Sequence, residues 1–311
     1  IVFCAAIVLP VSVCLSSGQG YAAQSHRQPR AANGGASNSS SRGEGALRVV
    51  TGAEGSVVFI NNIRHGTTGS SGELDLLRVK AGTFPVKIRT VGFADYHGVI
   101  TIQAGANRLL KVRQFPSRDE AIIHYQKAEL LRDGRKDDEA VKEFEEAIRL
   151  RPGFAEAHIS LARVLITAEQ FDEAETNLRA AMRTLGSAAE AYTVLANLRR
   201  TQGLYDESIT DYKRAIVLAH GISPEAHIGL AIALEEKNDM VSAITEYRKG
   251  IAQDMDTEPI LYYLLGRALE KQGDAGQAMQ AYQGYLRLDP QGQYSSAVAS
   301  IINRLKQDAQ Q

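Results

Sequence analysis

Residues 262–290 read YYLLGRALEKQGDAGQAMQAYQGYLRLDP. Small residues stand at Gly266 and Ala278, large ones at Leu265 and Tyr282, Gly273-Asp274 marks a turn between them, and Pro290 closes the stretch. Counting back from Gly266, small residues recur at Ala231, Ala196, Ala162 and Ala128, at steps of 35, 35, 34 and 34. Ala278, Ala243, Ser208, Ala174 and Ala140 keep the same steps, as do Tyr285, Gly250, Ala215, Ala181 and Ala147. A unit of this length holds two antiparallel helices that stack on the next pair. Short side chains are needed where the helices approach. Phe144, Leu178, Tyr212, Tyr247 and Tyr282 recur in step and fill the space between, and so do Leu161, Leu195, Leu230 and Leu265.

The punctuation fits the same reading. Asp133-Gly134, Gln202-Gly203, Asn238-Asp239 and Gly273-Asp274 are turn signals between helices. Pro152 and Pro290 follow the ends of the first and last units. Asp138, Asp172 and Asp206 precede the second helix of their units and are expected as N-caps. At these residues the chain resembles the tetratricopeptide repeat family, over five units: 121–154, 155–188, 189–222, 224–257 and 259–292. Units two and three depart from the family pattern at the closing Pro, where Gly186 and His220 stand. Residues 293–311 follow as a polar cap, with Val298, Ile301, Ile302 and Leu305 on one stripe of a helix.

The front of the chain has another character. Residues 1–23 begin with an uncharged apolar run through Leu15, and Gly20-Tyr21-Ala22 offers a cleavage site, so a secretory signal is expected. Cys4 and Cys14 both lie inside it, leaving a mature chain without cysteine, and this composition points to the periplasm or envelope of a bacterium. Contact with a membrane would come only through an uncleaved signal or lipidation at Cys14. Residues 24–45 are rich in Ser, Asn, Gly and Arg and read as a disordered linker.

From 46 to 115 the pattern alternates. Val57–Ile60, Val86–Arg89 and Val99–Ile102 read as strands, with a closing strand near Leu109–Val112, and Gly-containing turns between them. The expected architecture is therefore a small N-terminal β-sandwich followed by an α-solenoid of five helix pairs and a capping helix. The β-region resembles a PEGA domain at Gly52-Ala53, Gly66-Thr67, Ala81-Gly82 and Gly92-Phe93, and around Thr68–Leu76 it is similar to carboxypeptidase regulatory-like domains.

Between residues 24 and 118 thirteen Lys and Arg face five Asp and Glu, a net of +8, and the rest of the chain carries −9. One expectation is that the basic sandwich rests against the acidic array; the other is two independently solvated domains. The positive charge is scattered among strands without interleaved aromatics, which gives no support to nucleic-acid binding. No phosphate-binding loop, zinc helix or nucleophile elbow occurs, so no catalytic residue, cofactor or metal is assigned. His124, His158 and His227 share one repeat position with Tyr192 and Tyr262, which marks them as packing residues between helices.

The family resemblance implies a binding surface, lined by the first helix of each unit on the concave side. Carried onto this chain it places Tyr125, Ile159, Arg163, Asn197, Arg200, Ile228, Ile232, Tyr263 and Arg267 in a groove for protein or peptide segments. Arg163, Asn197 and Arg200 would grip an acidic or C-terminal segment, since Arg holds carboxylates bidentately and Asn pairs with peptide backbone. The alternative puts recognition of glycan or cell-wall material in the sandwich, with the helices as spacer or oligomerisation surface.

Overall fold

The computed structural model describes residues 43–61, 63–184, 186, 188–254 and 258–308. The expected signal, its two cysteines and nearly all of the expected linker lie outside the described residues.

Among the described residues seven strands form two sheets. β1 (Glu44–Val50), β4 (Glu73–Lys80) and β7 (Asn107–Lys111) make one sheet in the order β4-β1-β7, with β1 and β7 parallel. β2 (Val57–Ile60), β3 (Ile63–Thr67), β5 (Gly82–Arg89) and β6 (Tyr96–Ile102) make the other, antiparallel throughout, in the order β3-β2-β5-β6. Alternate residues point inward, so Leu47, Val49, Val58, Ile60, Val86, Ile88, Ile100 and Ile102 fuse into one apolar core. β1 starts at Glu44, inside the stretch read as linker. Glu44 and Gly45 pair with Lys80 and Val79, and a Cβ on Gly45 would lie 2.5 Å from the Gln103 carbonyl oxygen. That glycine serves close backbone approach rather than looseness.

Among the described residues eleven helices follow: α1 (Glu120–Asp133), α2 (Asp137–Leu150), α3 (Ala155–Thr167), α4 (Phe171–Ala181), α5 (Ala188–Thr201), α6 (Tyr205–Leu218), α7 (Pro224–Glu236), α8 (Met240–Asp254), α9 (Ile260–Gln272), α10 (Ala275–Leu288) and α11 (Ser295–Asp308). The first ten pair into the five units. The alanines of the three small-residue columns are fully buried, as are Phe144, Leu178, Tyr212, Tyr247 and Tyr282. A Cβ at Gly266 would meet the Tyr282 ring at 2.6 Å, so the small residue is what lets the ring lie flat on α9. In α11 Val298, Ile302 and Leu305 are buried against the last unit while Asn303, Arg304, Lys306 and Gln307 are exposed. No helix of the described residues is long and apolar enough to cross a membrane.

Two local expectations need correction. Asp138, Asp172 and Asp206 lie one residue inside their helices, where they act on the helix dipole instead of capping. Side-chain caps come from Asp119 to the Ile122 N–H, Asp239 to the Ser242 N–H and Asp274 to the Gln277 N–H. The turn within each unit requires one left-handed residue, and the sequence supplies Arg135, Glu169, Gly203, Asn238 and Gly273 in strict register. In the first unit that residue is Arg135 and not the neighbouring Gly134.

The histidines are packing residues with a polar function. Nδ1 of each reaches a side chain nineteen residues on, in the second helix of its unit: His124 to Glu143 (2.6 Å), His158 to Asn177 (2.7 Å) and His227 to Glu246 (2.6 Å). They tie the two helices of a pair together at a fixed register.

The two domains touch along α1. Arg64 of β3 pairs with Asp133 (2.5 Å), and Arg89 of β5 reaches the Tyr125 hydroxyl (3.2 Å) and Glu129 (3.4 Å) while lying over the Tyr125 ring. Gln126 sits at the centre, 1% exposed. It donates to the Phe93 carbonyl and to Asp95 (both 2.9 Å) and accepts from the Gly92 N–H (3.0 Å). Basic strands thus meet an acidic helix face.

Candidate functional site

The first helices of the units, α1, α3, α5, α7 and α9, line the inner surface. Residues one and four positions beyond each small marker face inward together, because those spacings fall on one side of a helix. In the middle of the array these are Arg163, Asn197 and Arg200. Arg163 spans two units: its guanidinium takes Glu225 of α7 bidentately at 2.6 and 3.0 Å and also reaches Glu190 of α5 at 3.4 Å. Its side chain is 13% exposed. Arg200 pairs with Glu236 (3.2 Å), while its Nε is buried without a hydrogen-bond partner. Asn197 accepts a bond from the Tyr212 hydroxyl.

The ladder continues in both directions. Glu235 accepts from Arg267 (3.1 Å), Lys271 (2.5 Å) and the buried Tyr247 hydroxyl (3.0 Å). Glu270 accepts from Arg304 of α11 and from Tyr282 (2.8 Å). At the other end Glu129 takes Arg132 and Arg89. Burial works against ionisation of Glu129, but these two guanidiniums, with Ser160 and Arg163, outweigh it and hold the carboxyl below its ordinary pKa. Tyr263 stacks on Tyr294 (4.7 Å between centroids, 9° between planes), and the Arg267 guanidinium lies 6.0 Å from the Tyr263 ring centroid.

Four residues expected to line the groove do not present themselves to it. Tyr125, Ile159, Ile228 and Ile232 are 7%, 1%, 4% and 9% exposed and serve the core. They are buried because neighbouring inner helices touch one another, and at Tyr125 because Arg89 covers the ring. Arg163, Asn197, Arg200, Tyr263 and Arg267, on the first helices of their units, are half-buried. The cationic cluster expected to be free for a partner is already occupied by Glu190, Glu225 and Glu236. These acids were missed, although Glu156, Glu190 and Glu225 form their own column six positions before each small marker. Gln126 and Arg89 were missed as well, since nothing in a local pattern marks a polar residue that will meet another domain.

Among the described residues no group of three or more His, Cys, Asp or Glu is placed to hold a metal ion. The arrangement is suited to exchange of charged partners: a carboxylate that displaces Glu225 finds a planar donor pair already oriented.

Family models described as tetratricopeptide repeat match residues 136–198, 193–258 and 260–291. Residues 136–258 and 260–291 belong to the tetratricopeptide repeat family. No curated protein matches it by sequence. Solved tetratricopeptide-like structures share the fold. Yeast Tom70 aligns with a TM-score of 0.54 at 20% identity, covering 62% of this chain and 41% of its own. A chain of the APC/C hetero-tetramer Cut9-Hcn1 gives 0.53 at 18%, covering 61% and 37%. PilF of Pseudomonas aeruginosa gives 0.52 at 16%, covering 61% and 86%. The chain thus spans well under half the length of the first two. At such identities the tetratricopeptide likeness is one of fold.

Proposed function

We propose that the protein is a non-enzymatic scaffold whose repeat array holds segments of partner proteins along its inner surface, from α3 to α11. The observation that carries this reading is the Arg163–Glu225 pair, which bridges two units across the inner face with Glu190 beside it. A partner's carboxylate, from an acidic side chain or a C-terminus, takes the place of Glu225 on the guanidinium. The array ends on a polar helix and is anchored at its other end by the sandwich, so the inner surface between them is where a segment is gripped. Binding of a peptide array to the wild type and to an Arg163→Glu/Arg200→Glu variant tests this; equal binding removes it.

Export to a bacterial envelope belongs to the same proposal and rests on residues 1–23. Mass measurement of the mature chain from a periplasmic fraction discriminates cleavage after the Gly20-Tyr21-Ala22 site from a lipid on Cys14 or a retained anchor. The sandwich, PEGA-like or carboxypeptidase regulatory-like, has a second reading. A cavity of about 550 Å³ lies on the sandwich, lined by Thr51, Phe93, Lys111, Arg113 and Gln114. An aromatic ring beside cations and amides suits glycan or cell-wall material. Retention on a peptidoglycan column by wild type, lost in Lys111→Glu/Arg113→Glu, would favour it over the groove.

A further inference from the structure

The sandwich has four strand edges, and three of them are defended. β3 carries Arg64 and a bulge opposite Val58–Phe59. β4 carries Glu73, Asp75, Arg78 and Lys80 and a bulge opposite Gly45–Leu47. β7 carries Arg108 and Lys111. β6 differs from all three. Its seven residues, Tyr96-His97-Gly98-Val99-Ile100-Thr101-Ile102, include no Lys, Arg, Asp, Glu or Pro, and they pair with β5 without a register shift. Val99 is 71% exposed. An edge of this kind is a template for another strand, and charges, prolines and bulges are the usual devices that prevent it.

The register of the free edge follows from Pro85. Pro85 faces Val99, has no N–H, and its carbonyl accepts from the Asn61 N–H (2.8 Å), on the side away from β6. The Pro85–Val99 pair is therefore a non-hydrogen-bonded one, and Val99 turns its own N–H and C=O outward. Period two puts the N–H and C=O of His97 and Thr101 on the same outward side. Among the described residues none of these groups has a backbone partner outside the β5–β6 pair.

We infer that β6 pairs with β6 of a second copy of this chain, antiparallel and centred on Val99, which joins two four-stranded sheets into one. In that register Val99 faces Val99 of the second copy, and His97 faces Thr101. Each of these pairs exchanges two backbone bonds, so every outward N–H and C=O is satisfied. A slip of two residues leaves a His97 or Thr101 unpaired, and a slip of one sets the outward groups against inward ones. No ionic like charges meet across the seam, and Val99 gains an apolar neighbour on the face where Pro85 already stands. The pair obeys the two-fold symmetry of an isologous dimer.

The test uses the full chain with Cys4→Ser and Cys14→Ser, sedimenting over a range of protein concentrations. Wild type is expected to dimerise, and Val99→Lys, which sets like charges opposite each other, is expected to remain monomeric with unchanged circular dichroism. Leu109→Lys, on the β7 edge, is expected to keep the dimer. A short bis-maleimide should join Val99→Cys chains to each other and leave Leu109→Cys chains single. A monomer at all concentrations, a dimer indifferent to Val99→Lys, or an edge filled by a different polypeptide while the protein stays monomeric would each overturn the inference.

Discussion

The sandwich and the solenoid bury their cores by opposite routes. In the solenoid each helix meets a partner within about one unit of sequence, and five copies of one packing solution follow one another. In the sandwich β1 pairs with β7 some sixty residues away, Ala46 against Asn107. A quasi-one-dimensional array loses stability unit by unit, whereas a closed sandwich holds or fails together. Tyr282→Ala, which removes a fully buried ring and the donor to Glu270, is expected to cost about 3–5 kcal/mol. Hydrogen exchange should then show α9–α11 opening while α1–α4 keep their protection. Leu47→Ala in β1 should instead raise exchange in every strand. Uniform loss across the helices after Tyr282→Ala would break the contrast.

Acid separates the domains further. His65 in β3 is half-buried with its Nε2 shut away from water and without a hydrogen-bond partner, and desolvation lowers its pKa from 6.5 to about 4. The unfolded chain therefore binds a proton at His65 before the folded one does. Sandwich stability is full above pH 6.5 and falls as pH drops toward 4, by about 3 kcal/mol at the lower limit. His65→Gln should flatten that dependence in denaturant titrations, and an unchanged slope would count against burial as its source.

The seam between the domains is the next smaller effect. Gln126 makes three hydrogen bonds to the 92–95 loop, and Gln126→Ala should cost about 1–3 kcal/mol by leaving the half-buried Gly92 N–H unpaired. Calorimetry should then resolve two transitions where the wild type couples them. The smallest change is at the turns. Glu169 holds φ +59°, and Glu169→Gly should stabilise the second unit by about 1 kcal/mol, read as a shift in denaturant midpoint.

The helical units were legible because their signal repeats: a single Ala means little, while Ala128, Ala162, Ala196 and Ala231 in step specify the close approach of two helices. β1, β3 and β4 were not separately legible. β3 is half-buried along its length with no clean alternation, and a bulge breaks the period of β4. The groove was half legible. The repeat position left Arg163, Asn197 and Arg200 half-buried and ion-paired or hydrogen-bonded, but the same reading put Ile159 and Ile228 in the groove, where packing buries them.

By itself the sequence determined the unit length, the helix pairs, the small-on-large packing and the polar end, since each depends on residues within about one repeat. Only the tertiary structure decided that Glu225 reaches back two units to Arg163, that Gln126 locks α1 to the sandwich, and that among the described strands β6 is left as the bare edge. Those outcomes depend on curvature and strand order, which bring together residues that no local spacing relates.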